Sequence, residues 1–238
     1  MTSHAHAAHG DMMIPEKGYE PGMKVYTMKL GMWVFLLSEV MFFTSLIGSY
    51  IILRFAHPDH FAEPGVVLNV SLTALNTFFL ICSSVTMVKA FAAIQKGDVG
   101  GLKKWLVGTI LIGSLFVGIQ GIEYAKLAEE GFVPAAAEYH AVGRVAHEAA
   151  LAAGEAGEAA LHSAPVQGGP LYGATFYTMT GFHGAHVSIG VLCLIFVLIR
   201  AMQGKYTQGD HRGVELVGLY WHFVDLVWII LFTIVYLI

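Results

Sequence analysis

The side chains best able to do chemistry in this chain are ionisable groups set inside apolar runs. Glu39 stands alone in the first such run. His183 and His186 are spaced i, i+3 in a later one, and His222 and Asp225 repeat that spacing in the last, beside Trp221 and Trp228. Gln120, Glu123 and Lys126 fall at i, i+3 and i+6. Residues three and four apart share a face of a helix, so each set presents its polar groups together. A histidine pair, or a histidine with an aspartate, is able at this spacing to ligate a metal or haem. The competing reading is a polar interhelical network, with Gly181, Gly184 and Ser188 letting helices approach closely. The spacing leaves both open. No thiolate ligand set, CxxCH haem motif, Gly-rich phosphate loop or nucleophile motif accompanies these residues. Cys82 and Cys193 lie in apolar runs and read as reduced packing residues.

The elements that must hold these groups follow from composition. The chain has 238 residues, of which 56% are hydrophobic and only 13% charged, against roughly 25% charged in a soluble domain; its mean hydropathy is +0.64. A soluble globule is excluded on that ground. With a net charge of -4 and no basic stripe, nucleic acid is not an expected partner. Five stretches, about 30–54, 66–94, 103–127, 172–200 and 215–238, are long enough to cross a hydrocarbon layer, which takes about 20 apolar residues as helix. Each must be helical, because a lone strand in lipid leaves its backbone groups unpaired. The expected fold is an all-α, polytopic bundle of five transmembrane helices.

Residues 1–29 form a polar tail containing His4, His6 and His9, without the apolar core of a signal peptide. Residues 128–170 form an Ala/Glu-rich insertion. Ten of the 13 Lys and Arg fall on the side of the N-terminus, leaving Arg54, Lys126 and Arg144 on the other. The positive-inside rule then predicts a cytoplasmic N-terminus, an external C-terminus and an external insertion.

Depth gives the ionisable groups their weight, since charge inside a membrane is costly and is a functional candidate by default. Glu39 lies about 13 Å into its span at 1.5 Å per residue, with Phe35, Phe42, Phe43 and Leu46 on its face. It reads either as a proton-handling group or clamp, or as a neutral acid donating a hydrogen bond to a neighbouring helix. Near the end of the third span, Glu123 reads as part of a salt bridge or hydrogen-bonded anchor with Gln120 and Lys126. Arg54, Arg200, His211 and Arg212 sit at membrane boundaries, where basic side chains meet lipid phosphates; as topology determinants they need no ligand.

Three segments carry a resemblance to a known family. GMWVFLLSEVMFF at 31–43, TGFHGAHVSIG at 180–190 and YWHFVDLVW at 220–228 resemble, in order and on successive spans, the signature motifs of subunit III of the haem–copper oxidases. Glu215, Arg200 and His211 also match residue types of that family, and the resemblance runs from about residue 29 to the C-terminus, apart from the insertion. It implies a non-redox accessory core subunit of a proton-pumping haem–copper terminal oxidase (cytochrome c oxidase) in aerobic respiration, not itself catalytic. Haem and copper would reside in partner subunits. It also implies that His183, His186, His222 and Asp225 bind no metal and instead lock the bundle, and that Glu39 is tied to proton uptake and to the stability of the catalytic subunit. The expected partners are oxidase subunit I as the main contact, subunit II, other respiratory subunits and structural phospholipids, with Arg200 and His211 as headgroup contacts.

Many family members have seven spans, and the first span here matches their third. The five-span form points to a bacterial oxidase in the inner (plasma) membrane. It weakens the lipid-cleft expectation, because the two further helices form one wall of that cleft. An equivalent subunit of a quinol oxidase or nitric-oxide reductase is an alternative within the class. An independent transporter or channel is the alternative outside it, without an inverted repeat or paired broken helices in its favour.

Overall fold

The computed structural model describes residues 27–58, 61, 68, 70–129 and 170–237. The residues before Thr27 and the insertion from 130 to 169 lie outside it. Five helices follow in order: α1 (Thr27–Ala56), α2 (Val70–Gln95), α3 (Val99–Glu129), α4 (Pro170–Met202) and α5 (Arg212–Phe232), which runs on into a π-helical turn, Thr233–Leu237. There is no strand among the described residues. Each helix, α5 with its π turn included, contains an apolar window able to cross a membrane. At about 1.5 Å per residue even α2 is about 40 Å long, more than the roughly 30 Å hydrocarbon layer.

The ends are set by local chemistry. α2 stops where Gly97 takes φ +79°, and its amide closes on the Ile94 carbonyl at 2.9 Å, a left-handed stop that glycine adopts without a Cβ clash. Asp98 then caps α3 by accepting the Gly101 amide at 2.8 Å, satisfying a donor the helix leaves free. Gly204, at φ +70°, closes α4 in the same way. α2 begins at Val70, later than its apolar run, and Leu68, in a bend before it, is buried.

α2, α3, α4 and α5 close a four-helix ring in which each is packed against the next and α5 against α2; α1 lies outside it, against α4 and α5. α1 buries only Leu36, Phe43 and Tyr50, seven residues apart, a single narrow stripe. Trp33, Val34, Leu37, Val40, Met41, Ile52 and Phe55 on the same helix are exposed. Apolar side chains facing outward along a whole helix suit lipid or a partner helix. Lys29 near the start of α1 pairs with Glu215 in the first turn of α5, so the two helices run parallel.

Two tryptophans on α5 hold the ring together. Trp221 lies against α3 and α4 where both have glycine: a Cβ on Gly113 would stand 2.5 Å from the indole, and one on Gly190 3.0 Å. Its Nε1–H donates to Ser83 of α2 at 3.0 Å. Two turns on, Trp228 donates to Thr77 of α2 at 2.9 Å, meets the edge of Phe116 of α3 with ring centres 4.9 Å apart, and stacks on His183 of α4 at 4.8 Å. The glycines allow close approach and the hydroxyls satisfy the indoles, which is how helices associate in lipid without a hydrophobic driving force.

Candidate functional site

Glu39 on α1 and His186 on α4, 147 residues apart in sequence, meet at 3.0 Å between Oε2 and Nε2. The His186 ring is held by its own helix, with Nδ1 2.7 Å from the Phe182 carbonyl, and is flanked by Phe43 at 5.0 Å and Phe42 at 6.2 Å. Tyr220 of α5 donates to the His186 carbonyl at 3.0 Å. Each ring is thus set by helix packing, with α1 supplying the acid and α4 the base.

The contact joins a carboxyl to an imidazole, either with Nε2–H donating to Glu39 or with the Glu39 acid donating to Nε2. The pair sets an acid against a base across two helices. It also borders a cleft of about 400 Å³ lined by Met32, Phe35, Ile189, Cys193, Val217 and Tyr220, and the two side chains keep 18% and 17% of their surface.

His183 takes a different environment. It is wholly buried inside the ring, between Trp228 and the edges of Phe116 and Phe43. The two histidines that share an i, i+3 spacing thus serve different partners: His186 bonds to Glu39 of α1, while His183 packs among the rings of Trp228, Phe116 and Phe43. The second pair also diverges. Asp225 is buried against α2 and accepts from Ser84, while His222 is half-buried on the wall of two clefts, one beside α1 and one beside α2. Among the described residues no three His, Cys, Asp or Glu side chains come together as a metal-binding group.

Glu123 is buried at the far end of the ring. Thr73 of α2 donates to its Oε1 at 3.1 Å, and the Tyr236 hydroxyl stands 3.4 Å from each carboxyl oxygen. Beside it, Tyr124 donates to Thr180 of α4 at 2.6 Å and Gln120 reaches Tyr124 at 3.4 Å. Hydroxyls therefore anchor this carboxyl, and Lys126 on the exposed side makes no ion pair with it among the described residues.

The four boundary cations do not form one patch. Arg54 lies at the end of α1 opposite Lys29, donating to the Tyr50 hydroxyl at 2.9 Å and lying over the Phe61 ring at 5.9 Å. Arg200, His211 and Arg212 belong to the other end. Arg200 lies over Phe196 at 5.9 Å, and His211 meets the Gln208 carbonyl at 2.9 Å and the edge of Phe91. Arg212 donates to Asp210 at 3.0 Å, and its guanidinium holds that exposed carboxyl below the usual carboxylate range.

Reasoning from the sequence missed the hydroxyl partners Thr73, Thr77, Ser83, Ser84, Thr180 and Tyr236, and the Lys29–Glu215 pair. A signal existed: Thr73, Thr77 and Ser84 recur at helical spacing in α2, a span without any charge except at its end.

Five membrane-length helices, poor in charge and held together by intramembrane polar contacts, define a polytopic membrane protein. Its sequence matches the family model for cytochrome c oxidase subunit III over residues 16–142 and 158–238. It is 34% identical over 210 residues to the probable cytochrome c oxidase subunit 3 of Mycobacterium bovis, covering 88% of this chain and 87% of that one. The cytochrome c oxidase subunit 3 of Thermostichus vulcanus is 34% identical over 209 residues, 87% and 86% of the two chains. That of Synechocystis is 34% identical over 234 residues, 98% and 79%. The chain belongs to the cytochrome c oxidase subunit III family. Membership makes it a component of an oxidase complex, and its respiratory role follows from the family.

Proposed function

We propose that this chain is a non-redox accessory core subunit of a proton-pumping haem–copper terminal oxidase in a bacterial plasma membrane. It stabilises the catalytic subunit and supports proton uptake. Haem and copper belong to partner subunits, with subunit I as the main contact and subunit II and other respiratory subunits in the same complex. The N-terminus is cytoplasmic and the C-terminus external. Phospholipid headgroups meet Arg200, His211 and Arg212 on one side and Arg54 on the other.

The observation that carries the reading is the Glu39–His186 contact at 3.0 Å. A carboxyl hydrogen-bonded to an imidazole within the membrane, open to a cleft, is suited to delivering or buffering protons near a partner that consumes them. The rest of the polar chemistry, Asp225 with Ser84, Glu123 with Thr73 and the two indoles with α2 hydroxyls, joins helix to helix and suits a scaffold.

Glu39→Gln in the intact complex separates the two roles. The amide is able to hydrogen-bond to His186 but cannot give up a proton to it. Haem content should stay at the wild-type level while proton uptake slows or the enzyme inactivates after fewer turnovers. Normal uptake and normal lifetime together would reject proton handling and leave a purely structural role. Transport by the purified chain alone would instead favour an independent transporter.

A further inference from the structure

The interior of the α2–α5 ring holds polar atoms that the protein itself does not satisfy. His183 is 0% exposed, and neither of its ring nitrogens has a hydrogen-bond partner among the described residues. The same is true of Asn76 Oδ1 on α2, Gln120 Oε1 on α3 and Asp225 Oδ1 on α5, all buried. Each core helix thus contributes one such group.

Two of the four touch Phe116, and a third follows it on α3. Asn76 donates its amide to the Phe116 carbonyl at 3.4 Å. His183 lies against the Phe116 ring with centres 6.1 Å apart. Gln120 follows Phe116 by one helical turn, and its amide reaches Tyr124, which bonds to Thr180, one turn before His183 on α4. Asp225 sits one turn from Trp228, the residue stacked on His183.

Their chemistry does not balance internally. Both amide oxygens only accept, and a carboxyl oxygen without a hydrogen only accepts. A neutral imidazole supplies one N–H and one acceptor. Even if His183 turned to donate to one amide oxygen, the other would remain without a donor, as would the second ring nitrogen. Buried polar groups in folded proteins are paired, and what pairs them when side chains cannot is ordered water, which supplies two donors and needs two to four polar partners.

We infer that the four-helix core contains an internal water site centred on His183, with Asn76 or Gln120 as a further ligand. The water adds a link between α2, α3 and α4 beside the Asn76–Phe116 and Tyr124–Thr180 bonds, and His183 is its hub because both of its ring nitrogens are without a protein partner among the described residues. The inference concerns the interior of this chain and stands whether or not Glu39 handles protons.

Electron cryomicroscopy of the intact complex, at a resolution that shows ordered water elsewhere in the membrane domain, tests it. The expected result is a density peak about 3 Å from a His183 nitrogen and within the same reach of Asn76 Oδ1 or Gln120 Oε1. A map showing waters of comparable order elsewhere and none at His183 overturns the inference. His183→Phe, near in size but unable to bind water, should lose the peak; a peak that persists in that variant overturns the role of His183 as hub. Should the variant not assemble, the wild-type map alone decides.

Discussion

At the scale of single residues, the side chains that matter most are paired with groups from other helices. Trp228 is the clearest case: its indole N–H goes to Thr77 and its face to His183. Trp228→Phe keeps much of the aromatic bulk but removes the donor to the Thr77 oxygen, whose own bond to the Thr73 carbonyl at 2.7 Å remains, and narrows the stack. It should lower stability by about 0.5–1.5 kcal/mol, the net range for one hydrogen bond, seen as a lower melting temperature of the purified complex. An unchanged melt would mean that Thr77 finds another donor. Glu39 behaves differently, since Glu39→Gln preserves a hydrogen bond and removes only the transferable proton, so its effect should appear in proton uptake or turnover lifetime and not in haem content. Sequence alone placed Glu39, His183, His186, His222 and Asp225 in apolar spans and so marked them as polar groups that must find partners. It did not show who those partners are. The i, i+3 spacing suggested that each pair works together, and it misleads here because one helix in a bundle faces two neighbours at once. His186 bonds to Glu39 and His183 stacks on Trp228, although one turn separates them.

At the scale of elements, helix contacts depend on where glycine meets tryptophan. A Cβ on Gly113 would collide with Trp221, whereas at Gly118, on the same helix, nothing lies within 4 Å. Gly113→Ala should therefore destabilise the bundle by about 1–3 kcal/mol, the usual range for overpacking. Gly118→Ala should be neutral or slightly stabilising through helix propensity. Comparing retention of this subunit in the detergent-purified complex for the two variants checks both signs at once. The Lys29–Glu215 pair ties α1 to α5 at a half-exposed end. A double-mutant cycle with Lys29→Met and Glu215→Gln should give a coupling of about 1 kcal/mol or less, as for other partly exposed ion pairs; a much larger value would mean that the pair is what fixes α1. The five spans were legible because length and hydropathy register them directly. The order in which the helices close into a ring, and the position of α1 outside it, were not. In lipid both faces of a helix are apolar, so the amphipathic stripe that reveals packing in a soluble bundle is nearly absent. The stripe that does exist on α1, Leu36, Phe43 and Tyr50, is visible only after the contacts are known.

At the scale of the whole molecule, a closed four-helix ring carries one loosely attached helix, and that helix brings the acid. Three clefts beside α1, among them one of about 560 Å³ next to Trp33 and Phe223 and one of about 400 Å³ next to Glu39 and His186, leave it embedded on one narrow side. Within an oxidase complex such a helix suits contact with a partner, while the ring behind it supplies stiffness. The central claim, that this chain serves a haem–copper oxidase without carrying its redox centres, is tested most directly by purifying it through an affinity tag in mild detergent and recording a reduced-minus-oxidised visible spectrum. Haem bands should co-purify with larger subunits and disappear when this chain is isolated from them. A chain that emerges folded, without partners and without haem would contradict that claim, as would haem bands that stay with this chain alone.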